Sequence, residues 1–306
     1  MALTRPFDTD HGLPLSVLAC AAVLALALTA RLAARRDLGG AVIAAAGARP
    51  ARTTLLGSIA AFAIGRTLRP LAGWAAGTAA YFLLIGLIAR SMTDFLTANP
   101  QFAQMAAQAG FTLGSVEGYT ATLFALLAIP VGVFVATRLA ALAADEHHRR
   151  LTLLLATPVT RTKLLAAEAA VATGAALILI TVAGLAVWTG TATVDAGLSL
   201  NDALAGALNV TPIVLLSLGA AALALGWAPR AIAAIGALPG AGGFLWLVIA
   251  DSIHAPAWIR SLSPFAHLAA VPATTPNWHA AAIMTGTAAI TVVAGTARYR
   301  RRDLHA

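Results

Sequence analysis

The sequence predicts an all-α polytopic membrane protein with seven transmembrane helices, an amphipathic surface helix and a short cytosolic docking helix. Three observations favour this class over a soluble fold. Only 10% of the residues are charged while 59% are hydrophobic, and the mean hydropathy is +0.83. Uncharged runs of membrane-spanning length also recur along the whole chain. A soluble domain of this size exposes far more charge.

Charged residues mark the boundaries of the seven predicted spans. A helix needs roughly 20 apolar residues to cross the hydrocarbon core, and each run is close to that length. Pro264, Pro272 and Pro276 interrupt the last uncharged stretch, so the seventh span begins after them. The predicted spans are 11–31, 70–89, 118–137, 164–189, 203–227, 231–250 and 279–297.

The distribution of positive charge predicts the orientation. With the N-terminus outside and the C-terminus in the cytoplasm, 17 of the 20 Lys and Arg residues lie on the inner side. Only Arg5, Arg90 and Arg260 then lie outside, and the opposite orientation reverses this bias. The net charge of +8 is therefore explained by membrane insertion. Nucleic acid is not expected as a partner, whereas the lipid bilayer is.

An internal repeat predicts the domain organisation. The same four residues, Arg-Arg-Asp-Leu, follow the first predicted span at 35–38 and the last one at 301–304. We interpret residues 1–40 as an extra N-terminal helix that corresponds to the last helix of a preceding half. Residues 70–306 then form one six-helix transmembrane domain.

Residues 41–69 are predicted as a cytosolic linker that ends in an amphipathic surface helix. Leu55, Ile59 and Phe62 recur at helical spacing, and Arg66 and Arg69 follow them. This pattern is typical of a helix that lies along the inner membrane surface. The chain is expected to turn into the membrane at the proline that follows.

The segment between the third and fourth predicted spans is the most informative part of the chain. A charged run, Asp-Glu-His-His-Arg-Arg, begins at Asp145 and is followed by the apolar residues Leu151–Leu155 and a break at Thr157-Pro158. A solvated loop is the simplest alternative, but a free loop does not expose so many leucines. An amphipathic helix that fits a groove of a cytosolic partner explains them, and Pro158 ends that helix.

Several classes of function are excluded by motifs that the sequence lacks. It has no Gly-x-x-x-x-Gly-Lys-Ser/Thr phosphate-binding loop, and its one lysine, Lys163, follows a threonine. We therefore expect no catalytic residue and no cofactor site in this chain. No metal site is expected either, because Cys20 is the only cysteine and the adjacent His147 and His148 point about 100° apart on a helix. The uncharged middles of the spans argue against an ion-coupled carrier.

Residues inside the spans give two further candidate features. Pro130, Pro239 and Gly240 are candidate hinges of a translocation path, because helices kink at Pro and Gly; close helix packing is the alternative. Large aromatic side chains are the candidate lining of that path, with core or lipid contact as the alternative. They are Phe124, Phe134, Phe244 and Trp246.

Two charged residues lie about one turn inside the inner boundary. They are Arg138 at the end of the third span and Glu168 near the start of the fourth. Either their side chains extend to the membrane interface, or they pair and tie the two spans together.

The docking segment (residues 146–161) resembles the cytoplasmic motif of type-2 ABC exporter permeases. In that family an acidic residue precedes a Leu-Leu-x-Thr-Pro-Val-Ser/Thr-Arg run, and here Glu146 precedes Leu-Leu-Leu-Ala-Thr-Pro-Val-Thr-Arg at 153–161. Residues 71–100 and 263–304 are similar to the first helix and the last outer loop and helix of actinobacterial polyketide-antibiotic exporter permeases. The resemblance covers roughly residues 55–304.

The resemblance implies the membrane permease subunit of an ATP-driven exporter in a bacterial plasma membrane. Its cargo would be a hydrophobic or amphipathic small molecule such as an antibiotic, and its partners a dimeric ATPase cassette and a second permease half, identical or different. ATP and magnesium would bind to the cassette. The docking residues implied are Glu146, Arg149, Arg150, Leu153, Leu154, Leu155, Thr157, Pro158 and Arg161. Two alternatives remain open, a non-transporting scaffold or sensor and a lipid or polysaccharide exporter of the same class.

Overall fold

The computed structural model describes residues 58–102, 104, 113–148 and 160–301, together with the isolated positions 23, 27 and 31. Within these ranges the regular structure is helical and no strand occurs. The helices belong to one compact unit, Leu55–Ala306. They are α1 (Ile59–Ala98), α2 (Val116–His147), α3 (Arg161–Thr193), α4 (Leu200–Leu208), α5 (Thr211–Trp227), α6 (Ile232–Ala237), α7 (Gly243–Ser252), α8 (Ala257–Arg260) and α9 (Trp278–Arg300). A π-helical stretch, Leu238–Gly242, joins α6 to α7, and a 3-10 turn, Pro264–His267, precedes α9.

Six helical units of the described chain are long and apolar enough to cross a membrane. They are α1, α2, α3, the pair α4 and α5, the pair α6 and α7, and α9. Five of them contain a predicted span, and Ile232–Ser252 matches the predicted span 231–250 to within two residues, so those six predictions are confirmed. The first predicted span, at 11–31, lies outside the described residues apart from isolated positions, and the count of seven stays a prediction.

Helix α1 corrects the predicted boundary at Pro70. The helix begins at Ile59, where the Ser58 side chain accepts a hydrogen bond from the Ala61 amide at 3.1 Å, and it continues without a break to Ala98. Pro70 removes only one backbone hydrogen bond, the one its missing N–H would donate four residues back. Ala63 and Thr67 are buried at 0% and 3% exposure, and this packing holds the first turns in line with the span.

Close backbone contact joins α1 to α3, which pack along each other. A Cβ atom built on Gly86 would lie 2.5 Å from the Val187 carbonyl oxygen and 2.9 Å from the Gly190 Cα. Only glycine permits such an approach, and small residues at the contact are the usual means of packing membrane helices. The close contact between α1 and α3 is therefore possible only because Gly86 and Gly190 have no side chains at this crossing.

The core of the unit lies around α2 and the α4–α5 pair, whose residues are the most buried of the six spans. Helix α5 packs against α9 on one side and α2 on the other. Helices α1, α7 and α9 keep large apolar side chains exposed, including Tyr81, Leu84, Leu245 and Ile290. These surfaces suit lipid or another membrane subunit, because apolar patches of this extent do not face water.

Two spans deviate from regular α geometry. The fifth breaks at Asn209, between α4 and α5, where the Asn209 side-chain amide donates to the Ala269 carbonyl oxygen at 2.8 Å. The sixth passes through the π-helical stretch that contains both Pro239 and Gly240. A Cβ atom on Gly240 would lie 3.1 Å from the Ala128 carbonyl oxygen of α2, so close packing is present here; hinge motion at this point stays a prediction.

The loop that follows α7 folds back onto that helix. Ser263 is 1% exposed; its hydroxyl donates to the Gly243 carbonyl oxygen at 2.8 Å and accepts from the Phe265 amide at 3.1 Å. An ion pair at 2.7 Å between Arg260 and Asp251 closes the same loop at its exposed edge. These contacts hold the C-terminal end of the sixth span, which is the end that lies away from the docking segment.

Candidate functional site

Four charged residues from α1, α2 and α3 meet at the end of the bundle next to the docking segment. They form the four-charge cluster, which consists of Arg66, Arg138, Asp145 and Glu168. Arg66 joins the three helices, because its Nη1 donates to Glu168 Oε1 at 2.5 Å and its Nη2 donates to Asp145 Oδ2. The fork geometry of the guanidinium allows one arginine to hold two carboxylates at once.

The cluster is largely withdrawn from solvent. The side chain of Glu168 is 1% exposed, while those of Arg66 and Asp145 are 16% and 20% exposed. The Arg66 guanidinium also lies over the Phe62 ring, 5.5 Å from its centroid, which is cation–π geometry. Removing one member of a buried ion pair costs about 3–5 kcal/mol, because the remaining charge is left uncompensated. The loss of either partner of the Arg66–Glu168 pair should therefore destabilise the bundle strongly, whereas the Arg66–Asp145 pair is more accessible to water.

Arg138 completes the charge balance without joining the hydrogen bonds. It is 9% exposed and interacts electrostatically with Glu168, Arg66 and Asp145. Its Nε atom is buried and has no hydrogen-bond partner among the described residues. The direct Arg138–Glu168 ion pair that we considered from sequence is not found in the described part of the chain. Arg66, which was predicted to lie in the surface helix, pairs with Glu168 instead, because α1 continues along α3.

The two ends of the docking segment are fixed to the helices. Glu146 lies in the last turn of α2, directly after Asp145, and its carboxylate oxygens are buried. Arg161 is the first residue of α3, and its guanidinium lies over the Tyr299 ring of α9 at 5.8 Å. Thr160 caps α3 by accepting a hydrogen bond from the Lys163 amide at 3.3 Å.

The remaining docking residues lie outside the described residues, so their assignment stays a prediction. They are Arg149, Arg150, Leu153, Leu154, Leu155, Thr157 and Pro158. The structure thus shows where the segment starts and where it ends, and it places both ends next to charged or aromatic side chains of the bundle.

The four aromatic residues predicted to line a path lie in different environments. Phe124 and Phe134 of α2 are fully buried, at 1% and 0% exposure. Phe244 is half-buried and meets Phe265 edge to face at 5.7 Å. Trp246 is 45% exposed, and its indole N–H donates to the Ile259 carbonyl oxygen at 2.8 Å. The structure does not bring the four together.

An open groove with a volume of about 810 Å³ lies between α1 and α2. Trp74 meets Phe134 edge to face at 5.8 Å, and Phe82 stacks on Phe124 at 6.0 Å, so two predicted path residues lie directly behind its wall. The groove is lined by Arg69, Pro70, Gly73, Trp74, Gly77, Thr78, Tyr81, Phe82, Leu126, Leu127, Ile129 and Pro130.

Sequence reasoning missed the groove although a signal was present. Pro70, Gly73, Gly77 and Tyr81 recur three or four residues apart, which places them on one face of a helix. A Cβ atom on Gly73 or Gly77 would meet nothing within 4 Å. The Gly-x-x-x-Gly spacing is a known feature of membrane helices that approach a partner.

Within the described residues, no group of three His, Cys, Asp or Glu side chains is placed to hold a metal ion. His147 and His148 are exposed at the end of α2, with ring centroids 5.6 Å apart.

The six apolar helical units of the described residues define a multi-pass membrane protein. A family model described as the C-terminal domain of the multidrug efflux system permease Rv1217c matches residues 56–300, and the chain belongs to that family. The match confirms the predicted resemblance to multidrug exporter permeases.

One curated relative is the multidrug efflux system permease protein Rv1217c of Mycobacterium tuberculosis (strain ATCC 25618 / H37Rv). It is 29% identical over 273 residues, which make up 86% of this chain and 48% of the relative. The chain therefore spans about half the length of the relative that it matches.

Proposed function

We propose that this chain is the membrane subunit of an ATP-driven exporter that moves hydrophobic or amphipathic small molecules out of the cell. The observation that carries the proposal is the family match over residues 56–300. The geometry supports it, because α2 holds one end of the docking segment next to the charge cluster and α3 holds the other end against Tyr299 of α9. A segment anchored in this way is suited to transmit a displacement by a cytosolic partner to the membrane helices.

ATP hydrolysis is assigned to a separate, dimeric cassette that binds ATP and magnesium. The sequence supports this assignment, since it lacks a phosphate-binding loop. We propose that Leu153, Leu154 and Leu155 fill a groove of the cassette, with Arg149 and Arg150 making polar contacts. Glu146 and Arg161 would then act mainly as the fixed ends of the segment, since both contact the bundle.

The transport unit is proposed to contain a second permease half, identical or different. The open face of α1 with Gly73 and Gly77 supports it, because a Gly-x-x-x-Gly face allows another membrane helix to approach closely. The apolar groove on that face supports a hydrophobic or amphipathic cargo, because ligand sites are concave and mostly apolar with few polar groups.

The decisive experiment is co-purification of this chain with a candidate cassette, followed by measurement of ATP hydrolysis. We expect the wild-type chain to retain the cassette, and the variant Glu146→Ala with Leu154→Asp to lose binding or coupled turnover. The control variant is Asp251→Ala with Leu262→Asp, which likewise replaces one carboxylate by alanine and one leucine by aspartate. Asp251 and Leu262 lie at the opposite end of the sixth span, where Leu262 is 64% exposed, and this variant should behave as wild type.

Two outcomes would contradict the proposal. If no ATPase cassette associates with the wild-type chain, a non-transporting scaffold becomes the better explanation of the docking segment. If the docking variant binds and hydrolyses as wild type does, the docking site lies elsewhere on the chain.

A further inference from the structure

Arg66 is the residue through which α1, α2 and α3 are joined by charge. Its two terminal nitrogens hold carboxylates that lie 79 and 102 residues away in sequence, Asp145 and Glu168. Asp145 is two residues from the end of α2 and immediately precedes the docking segment. We propose that Arg66 is a positioning residue that transmits movement of the docking segment to α1 and α3. This inference rests on the proposed function.

The length of α2 places its Asp145 end outside the hydrocarbon core. Its 32 residues extend about 48 Å at 1.5 Å per residue, whereas the core is about 30 Å thick. Roughly 18 Å of the helix therefore projects beyond the core, and Asp145 is near its tip. A partner that displaces the docking segment moves this end of α2 first, and within the described residues the Arg66–Asp145 ion pair links that end to α1.

The two sides of the junction differ in how firmly they are held. Glu168 is 1% exposed, whereas Asp145 is 20% exposed. Arg66 is thus fixed to α3 by a buried pair and linked to α2 by a pair that water can reach. Because water weakens the second pair more, the Asp145 contact is the one that can break and re-form while Arg66 stays on α3.

Arg138 supports this arrangement from α2. It lies seven residues before Asp145, which is two helical turns and the same face, and it acts electrostatically on both carboxylates. Glu168 therefore keeps a neighbouring positive charge even when Asp145 moves. Lysine could not replace Arg66, because an ammonium group lacks the planar fork that holds two carboxylates in fixed directions.

The test uses the complex of this chain with its cassette and needs no knowledge of the cargo. Cys20 is replaced by Ser and a single cysteine is introduced as Gly77→Cys, at an open position of the α1 groove. The rate at which a maleimide labels this cysteine is measured with and without ATP, magnesium and vanadate. In the parent, we expect nucleotide to change the labelling rate about fivefold or more, the low end of typical coupling between sites.

Asp145→Asn is the central variant, because it breaks the exposed contact and leaves the buried Arg66–Glu168 pair intact. We expect it to retain the cassette and basal ATP hydrolysis with only a small loss of thermal stability, because the Asp145 contact is partly exposed, yet to lose the nucleotide-dependent change in labelling. Asp145→Glu keeps the carboxylate and should restore the change, while Arg66→Lys should not. Asp251→Asn, an ion-paired aspartate at the opposite end of the bundle, is the matched control and should respond as the parent does.

The outcomes separate this inference from the proposed function. A cassette that fails to associate with the parent overturns both. A cassette that binds and hydrolyses ATP, with the labelling response intact in Asp145→Asn or absent in the parent, overturns the role of Arg66 alone. A loss of response that accompanies equal losses of stability and cassette binding also overturns it, because the cluster is then only structural.

Discussion

Gly86→Ala should destabilise the bundle by separating α1 from α3. The new Cβ would lie 2.5 Å from the Val187 carbonyl oxygen, whereas ordinary contact begins at 3.4 Å, so the two backbones must part by about 0.9 Å. Overpacking of this kind costs about 1–3 kcal/mol. That range corresponds to a roughly 5- to 150-fold increase in the unfolding equilibrium constant. Denaturant or thermal unfolding of the purified chain in detergent measures the change.

Gly77→Ala is the matched control for this prediction. It makes the same chemical change in the same helix, but a Cβ there meets nothing within 4 Å. We expect unchanged stability or a gain of up to about 1 kcal/mol, because alanine is preferred over glycine inside a helix. Equal shifts in the two variants would refute the reasoning, since they would show that the cost does not arise from the α1–α3 contact.

Three further substitutions test other contacts by unfolding in the same detergent. Ser217→Ala should stabilise by about 1 kcal/mol, because the Ser217 hydroxyl is buried with no hydrogen-bond partner among the described residues; a loss of stability would show that this hydroxyl is satisfied. Ser263→Ala should cost about 1–2 kcal/mol, because it removes two buried hydrogen bonds. The exposed neighbour Ser261→Ala is its control, and equal effects would contradict the assignment. Asp251→Asn should cost less than about 1 kcal/mol and this cost should fall with added salt, since the pair is 52% and 32% exposed; a salt-independent effect would argue against a surface pair.

The sequence was sufficient to place the six described spans, because the hydrocarbon core imposes a length and a composition on each. It was poorer at their ends. Arg69 and Arg90 served as predicted boundaries, yet α1 runs past both, to Ile59 and Ala98. A charged residue limits the apolar core of a span but does not end the helix, which continues wherever its backbone stays hydrogen-bonded.

The charge cluster could be predicted only in part. Glu168 and Arg138 stood out because charge near a span is costly and needs compensation. The partner of Glu168 is Arg66, 102 residues earlier, and no spacing rule links positions that far apart in sequence. The pairing follows from α1 packing along α3, which depends on the contact between Gly86 and Gly190. Tertiary packing thus pairs Glu168 with Arg66 and not with Arg138, the partner considered from the sequence.

The order of the cluster along the chain also bears on biosynthesis. Arg66 leaves the ribosome before either of its partners, and Asp145 and Glu168 follow 79 and 102 residues later. At about 5–20 residues per second, Arg66 waits roughly 4–16 s for Asp145 and 5–20 s for Glu168. The Arg66 guanidinium therefore meets its two carboxylate partners only after α2 and α3 have been synthesised. The charges of the cluster can be neutralised at that stage, before the later spans leave the ribosome.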